Sequence, residues 1–212
     1  ARLGCDAAEG WEPVVARDDL DAVIVATPPH LHAAISLAAL RNGLHVLCEK
    51  PFAISVQEVD AVFAAAQREG RIAADGFMYR HHPRILAARR LLDDGAIGEA
   101  WLFRGTFTVP LDRPENARWD PALGGGSLWD IGCYPVSLAR YLFDEAPERV
   151  SGREKKTASG VDESFAGTME FSRGRIAQFD CSFVSPYLTR AEVAGTRGGA
   201  EQRPLPREHG EH

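Results

Sequence analysis

The sequence lacks the spacings that would point to a metal site. Its four cysteines form no CxxC or CxxH pair, so a zinc knuckle is not expected. Free thiols in a reducing cytoplasm are the expected state of these cysteines. The adjacent His81 and His82 have no carboxylate at helical spacing, which argues against a metal-dependent hydrolase built on them.

Long apolar runs and basic stripes are also absent. The longest uncharged run, 23–40, contains two prolines and two histidines, so we expect no membrane span and no membrane partner. The net charge is −6 and no basic stripe stands out, which disfavours nucleic acid as a partner. We expect no signal peptide at the start of the sequence, and we expect both ends to be cuts or frayed tails.

The residues that are present predict a packed protein with a parallel sheet in its first part. Apolar residues make up 45% and charged residues 25% of the 212 residues, as in globular domains. Up to residue 76, short apolar runs alternate with helical patterns. The predicted strands are 21–27, 45–48 and 71–75, and the predicted helices are 31–42 and 55–70. This alternation predicts parallel βαβ units in a doubly wound sheet.

The order of predicted strands and helices changes after residue 76. A helix that ends at Gly95, a strand over 100–109 and a helix over 127–143 are followed by four strand-like runs. Those runs are 149–157, 164–171, 175–183 and 188–194, and Gly198-Gly199 gives a turn signal after them. The fold class is therefore α/β: a partial Rossmann-like parallel sheet over 1–76, then an α+β domain over 77–212 with a mostly antiparallel open sheet.

Two predicted strands end in segments that could carry chemistry. Ligands bind beyond the carboxyl ends of strands in such sheets. The first segment reads ATPPHLH, and the second contains Glu49-Lys50-Pro51. Pro51 restricts Lys50 to an extended conformation, which could hold the lysine head beside a substrate hydroxyl. The plainer alternatives are a strand-to-helix turn that uses prolines and a solvated ion pair in a loop.

A third constellation is GGGSLWDIGCYPVSLARY over 124–141. Asp130 and Tyr134 are four residues apart and lie on one helix face, and a carboxylate beside a phenol could handle a proton. The three glycines would let the backbone approach something closely, but they do not match GxGxxG. Alternatively, Asp130 is a helix cap and Tyr134 a half-buried aromatic. The Tyr79–His82 segment is expected to have a structural role rather than to bind a metal, and within it Arg80 could face a ligand.

Together these segments resemble the Gfo/Idh/MocA family of oxidoreductases. The order and spacing of VIVATPPHLH with LHVLCEKP, GFMYRHHPRILAARRLL with GAIG, and GGGSLWDIGCYPVSLARYL carry the resemblance, which covers roughly residues 15–200. The DxGxY pattern, matched by Asp130, Gly132 and Tyr134, resembles one branch of the family. That branch contains dimeric dihydrodiol dehydrogenase, NADP-dependent xylose dehydrogenase and glucose-fructose oxidoreductase.

The resemblance implies NAD(P)-dependent hydride transfer at a carbinol carbon of a sugar or diol, with NADP favoured over NAD. It also implies a homo-oligomer assembled through the second-domain sheet; the expected cytoplasmic location comes from the free thiols. By matching motif positions, the catalytic residues would be Lys50, Tyr134 and Asp130. The residues bordering the cofactor would be Thr27, Pro28, His32, Glu49 and Lys50, with Arg118 as a weaker candidate.

The sequence departs from the family pattern at its start and its end. The opening strand with a GxGxxG turn and the ribose-reading segment are not in the sequence, and the second domain stops early. A GxGxxG turn supplies the pyrophosphate site. A different class of function therefore stays open: a non-catalytic fragment or remnant that binds a sugar or a partner subunit through its open sheet.

Overall fold

The computed structural model describes residues 4–202. Its contacts divide the chain into two compact units. The first runs to Phe77 and includes Ala122–Gly124, and the second contains Met78–Pro121 and the chain from Gly125 onward. The boundary predicted from the sequence, between 76 and 77, stays a prediction, and each unit is described by itself.

The first unit is a three-stranded parallel sheet in the order β1-β2-β3. Its strands are β1 (Ala22–Val25), β2 (His45–Cys48) and β3 (Ala73–Asp75), and its helices are α1 (Glu12–Val15), α2 (His32–Arg41) and α3 (Val56–Glu69). Helix α3 begins where the Ser55 side chain accepts a hydrogen bond from the Glu58 N–H, and it ends at Gly70 in the left-handed conformation. The Glu58 carboxylate accepts from the Ile54 N–H at 3.0 Å, so the predicted capping box forms with its return bond to the residue before Ser55.

One face of this sheet carries the core of the unit. Val25, Val46 and Cys48 are buried there, together with Leu40 of α2 and Val62 of α3. The alternate positions point the other way, because successive strand side chains face opposite sides. Ile24 is 74% exposed and Leu47 is 42% exposed. The two strands were predicted as continuous apolar runs, and only one of their faces is covered within residues 4–202.

The second unit is a six-stranded sheet in the order β5-β6-β7-β4-β8-β9. The strands are β4 (Ala100–Thr108), β5 (Arg149–Lys156), β6 (Asp162–Glu170), β7 (Ile176–Ser182), β8 (Leu188–Gly195) and β9 (Gly198–Gln202). Its helices are α4 (Pro83–Asp93) and α5 (Cys133–Phe143), with a π-helical turn, Leu128–Gly132, directly before α5. The pair of β4 and β7 is parallel, and every other pair in this sheet is antiparallel.

The second core lies between the helices and one face of this sheet. Phe103 of β4 and Ala177 of β7 are fully buried against Ala139 of α5. Gly105 of β4 lies under α5, where a Cβ would meet the Pro135 side chain at 2.7 Å. A larger residue at that position would hold the helix away from the strand.

The α/β fold class, with a parallel sheet followed by a mostly antiparallel one, is confirmed. One local prediction is wrong. Gly198-Gly199, predicted as a turn, opens β9, because the chain reverses at Thr196 and Arg197 instead. The helix predicted over 127–143 forms, but its first turn is π-helical. No helix in the described part of the chain is both long and apolar enough to cross a membrane.

Candidate functional site

In the first unit, the structure brings four of the predicted site residues to one edge of the sheet. Strands β1 and β2 are parallel neighbours in register, so their carboxyl ends meet at the same edge. The residues that follow these two strands are Thr27, Pro28, Glu49 and Lys50. This edge is the place where ligands of open α/β sheets bind.

His32 joins the two strand ends from inside the unit. Its ring is 1% exposed. Nδ1 lies 2.8 Å from the carbonyl oxygen of Pro51, and Nε2 lies 2.7 Å from the carbonyl oxygen of Thr27. His32 was expected to border the cofactor; that contact stays a prediction. The geometry shows a ring that ties the two loops together through their backbones.

The Thr27 hydroxyl is a buried polar group that the described residues leave unsatisfied. Its Oγ1 is shielded from solvent and has no hydrogen-bond partner within residues 4–202. Buried hydroxyl groups are normally paired, so an orphaned one at a strand end calls for an explanation. A bound ligand that offers a donor or acceptor at this edge would satisfy it.

The Glu49-Lys50-Pro51 turn is closely packed against the end of β3. The Lys50 N–H donates to the Glu49 carboxylate at 3.1 Å, and the peptide bond before Pro51 is cis. A Cβ on Gly76 would lie 3.2 Å from both the Cys48 carbonyl oxygen and the Glu49 Cα. The glycine after β3 therefore lets the turn sit against the sheet.

In the second unit, Asp130 lies in the π-helical turn and pairs with Arg118. The Arg118 Nε donates to Asp130 Oδ2 at 2.6 Å, and the Asp130 side chain is only 15% exposed. Arg118 was predicted as a weaker cofactor candidate, a role that stays a prediction. Its guanidinium is the partner of the candidate catalytic carboxylate. The sequence did not indicate this pairing, because the two residues are twelve positions apart with no regular periodic pattern between them.

The glycines before the π-helix approach other parts of the same chain. A Cβ on Gly125 would lie 2.5 Å from the Arg118 carbonyl oxygen. Gly126 has a φ of +115° and is buried; its N–H donates to the Arg118 carbonyl at 3.0 Å, and its own carbonyl accepts from the Asp130 N–H at 3.1 Å. The close approach predicted for the glycines is therefore to other parts of this protein: the Arg118 backbone at Gly125 and the Asp162 carboxylate at Gly126. The Gly126 backbone therefore forms a hydrogen bond with each residue of the Arg118–Asp130 ion pair.

Tyr134 lies in an aromatic cluster near the start of α5. Its ring centroid is 5.3 Å from that of Phe107, edge to face, and 6.0 Å from that of Tyr79. A cavity of about 80 Å³ lies beside it. The buried Thr189 Oγ1, which also lines this cavity, has no partner within residues 4–202. Gly132 places this helix against β7, since a Cβ there would be 2.8 Å from the Cys181 sulfur.

The Tyr79-to-His82 segment has structural contacts. The Tyr79 hydroxyl and Arg80 Nη2 both donate to Ser137 Oγ, at 2.8 and 2.9 Å. The Arg80 guanidinium also lies over the Tyr141 ring, 5.6 Å from its centroid. His82 caps α4 by accepting from the Arg84 N–H at 3.2 Å. Within residues 4–202, no group of three or more His, Cys, Asp or Glu side chains is placed to hold a metal ion.

Comparison with known proteins places both units in one family. Residues 1–77 match the sequence model described as "Oxidoreductase family, NAD-binding Rossmann fold". Residues 85–201 match the "GFO/IDH/MocA C-terminal domain". A D-xylose 1-dehydrogenase (NADP(+)) from Haloferax volcanii is 39% identical over 95% of this chain and 62% of its own length.

Two further relatives differ in their named activities. A trans-1,2-dihydrobenzene-1,2-diol dehydrogenase from Xenopus tropicalis is 31% identical over 89% of this chain and 57% of its own length. The crystal structure of a 3-ketoreductase from Actinomadura kijaniata, in complex with NADP and TDP-benzene, superposes with a TM-score of 0.82 at 33% identity, covering 92% of this chain and 60% of that one. The chain thus spans roughly 60% of the length of the curated relatives it matches. It belongs to the Gfo/Idh/MocA family of oxidoreductases.

Proposed function

We propose that this chain belongs to an NAD(P)-dependent oxidoreductase that transfers a hydride between nicotinamide and a carbinol carbon of a sugar or cyclic diol. The observation that carries this proposal is the position of Lys50, the second residue after the central strand of a sheet that matches an NAD-binding Rossmann domain. The named sugar and dihydrodiol dehydrogenases among its relatives support the substrate class. They do not support the alternative of a non-catalytic remnant.

The residues at the sheet edge fit part of a dinucleotide site. The orphaned Thr27 hydroxyl offers a hydrogen bond beyond the end of β1, and Pro28, Glu49 and Lys50 border the same edge. His32 would act on a cofactor through the Thr27 and Pro51 backbones that it holds. The name of the xylose dehydrogenase favours NADP over NAD.

The chemistry divides between the cofactor and the side chains of this chain. When bound, the nicotinamide supplies or accepts the hydride. We assign the hydroxyl proton of the substrate to Lys50 and Tyr134, and the orientation of the substrate to Asp130, which Arg118 holds in place. Positioned proton transfer of this kind contributes about 10²–10⁴-fold in rate.

The direct test is a titration of the purified protein with NADPH and NADH, followed by fluorescence, and then turnover assays with aldoses and cyclic diols. Lys50→Ala should lower turnover at least about 100-fold while leaving the cofactor Kd nearly unchanged. Tyr134→Phe should also lower turnover, because it removes the hydroxyl that exchanges the substrate proton while it keeps the ring. Lys156→Ala, in an exposed strand, is the matched control. Absence of binding at millimolar cofactor, or normal turnover in Lys50→Ala, would refute the proposal.

We also propose that the open face of the six-stranded sheet contacts a second copy of the chain. That face carries a shallow groove of about 660 Å³ whose polar lining includes Arg104, Thr106, Arg153, Thr168, Gln178 and Asp180. Several of these groups pair within the face, as where Thr106 donates to Asp180 at 2.7 Å. Light scattering of the wild type and of Thr168→Arg tests this contact; a monomeric wild type would contradict it.

Free thiols at all four cysteines support a reducing compartment such as the cytoplasm.

A further inference from the structure

Asp162, the first residue of β6, holds the start of the helical segment that carries Asp130. Its Oδ2 accepts two hydrogen bonds, from the Ser127 hydroxyl at 2.6 Å and from the Leu128 N–H at 2.7 Å. Ser127 is completely buried, so its hydroxyl has no access to water as an alternative partner. Bonds of this kind to a charged acceptor are among the stronger ones in proteins.

The Asp162 carboxylate takes the place of a capping residue at the start of this helical segment. The first N–H groups of a helix have no partner within the helix and are normally satisfied by a nearby side chain. Ser127 directly precedes the π-helical turn, yet its side chain caps none of these groups. Asp162 supplies the acceptor from strand β6, and its negative charge is favourable at the N-terminal end of a helix.

The contacts continue from this point to both members of the candidate catalytic ion pair. Gly126, next to Ser127, packs so closely on Asp162 that a Cβ there would collide with the carboxylate. The backbone of Gly126 donates to the Arg118 carbonyl and accepts from the Asp130 N–H. One carboxylate and one glycine therefore fix the backbone at both Arg118 and Asp130.

We infer that Asp162 is a positioning residue for the Arg118–Asp130 pair, and hence for the reaction. The catalytic part of this inference rests on the proposed function. Removal of the carboxylate leaves the Leu128 N–H without its acceptor, and it leaves the buried Ser127 hydroxyl with only the weak Cys181 sulfur contact at 3.5 Å. The turn then opens more often, and the Asp130 carboxylate spends less time in its bonded geometry. A displacement of about 1 Å at such a group can cost about 100-fold in rate.

Amide hydrogen exchange at Leu128 and Asp130 tests the positioning without any need for turnover. Asp162→Ala should raise exchange at these amides about tenfold or more, as expected when hydrogen bonds to a charged group are lost. Asp162→Asn keeps an oxygen that can accept both bonds and should stay near the wild type. Glu163→Gln is the matched control, since Glu163 is the next residue and pairs with Lys155 at 2.5 Å. It should leave both amides unchanged.

Turnover then tests the catalytic consequence. Asp162→Ala should lower kcat about tenfold or more, and Asp162→Asn should restore most of it. Unchanged exchange in a folded Asp162→Ala protein overturns the positioning role. If Asp162→Ala fails to fold, the exchange is measured on Ser127→Ala, which removes only one of the two bonds. Unchanged exchange at Leu128 and Asp130 in that variant would likewise overturn the positioning role. A wild type that binds no cofactor refutes the proposed function, while the exchange data still decide the role of Asp162.

Discussion

The ring of His32 lies 2.8 Å from the carbonyl oxygen of Pro51, the residue after the candidate catalytic lysine. Its other nitrogen lies 2.7 Å from the carbonyl oxygen of Thr27. One buried side chain therefore joins the segments after β1 and β2, which carry four of the predicted site residues. The ring links packing inside the unit to the geometry of the sheet edge.

Replacement of His32 should therefore be costly. His32→Ala removes the ring that lies between the Thr27 and Pro51 carbonyl oxygens, together with the hydrogen bond that its N–H donates, and leaves a cavity where the residue is 1% exposed. We therefore expect a loss of about 2–4 kcal/mol in the free energy of unfolding. Urea denaturation measures it. His45→Ala is the control: its ring accepts a single, exposed bond from the Ile72 N–H, and its loss should cost less than about 1 kcal/mol. Equal losses in the two variants would contradict the bridging role.

Gly126 and Gly160 form a natural pair for testing the contact with Asp162. Both have positive φ, +115° and +96°, but a Cβ on Gly160 would meet nothing within 4 Å. Gly160→Ala should cost about 1–2 kcal/mol from backbone strain alone. Gly126→Ala adds the clash with the carboxylate and should cost about 1–3 kcal/mol more. Thermal unfolding of both variants measures the difference. Equal destabilisation would mean that the Asp162 contact is loose.

Local features of the fold could be predicted from the sequence, and long-range ones could not. Helix α3 begins and ends through contacts within one turn, at Ser55 and Glu58 at its start and at Gly70 at its end. The local sequence pattern was therefore sufficient to predict where this helix begins and ends. The strand ends were predictable for a related reason, because the alternation of strands and helices implies parallel order. By contrast, the Asp162–Ser127 bond joins residues 35 positions apart with no periodic pattern. The parallel pairing of β4 with β7 depends in the same way on the tertiary arrangement.

Thr189→Val should stabilise the protein. The Thr189 hydroxyl is buried beside Tyr134 without a hydrogen-bond partner within residues 4–202, and an unsatisfied buried group costs about 1–3 kcal/mol. Valine has a similar shape without the hydroxyl, so we expect a gain of about 1 kcal/mol in urea denaturation. Thr106→Val is the control, because it removes a bond of 2.7 Å to Asp180 and should destabilise. A loss of stability in Thr189→Val would show that a ligand or water partner satisfies the hydroxyl.

The cysteines should differ sharply in reactivity. Burial raises the pKa of the Cys48 thiol to about 11 and that of the Cys181 thiol to about 12, whereas Cys5 is exposed. The thiolate is the reactive form, so alkylation at pH 8 should modify Cys5 at least about 100 times faster than the two buried thiols. Mass spectrometry of the native protein, with the urea-unfolded protein as control, measures the rates. Rapid labelling of Cys181 would mean that the start of α5 opens readily.

The same pKa values predict a loss of stability at alkaline pH. In the unfolded chain, thiols ionise near pH 8.5–9, whereas burial holds Cys181 protonated up to about pH 12. The folded state therefore binds more protons above pH 9, and the free energy of unfolding should fall as the pH rises from 9 toward 12. Cys181→Ala removes this contribution, so its stability should fall less steeply over that range. Urea denaturation at pH 8, 9.5 and 10.5 measures both slopes, and parallel slopes would show that Cys181 does not contribute.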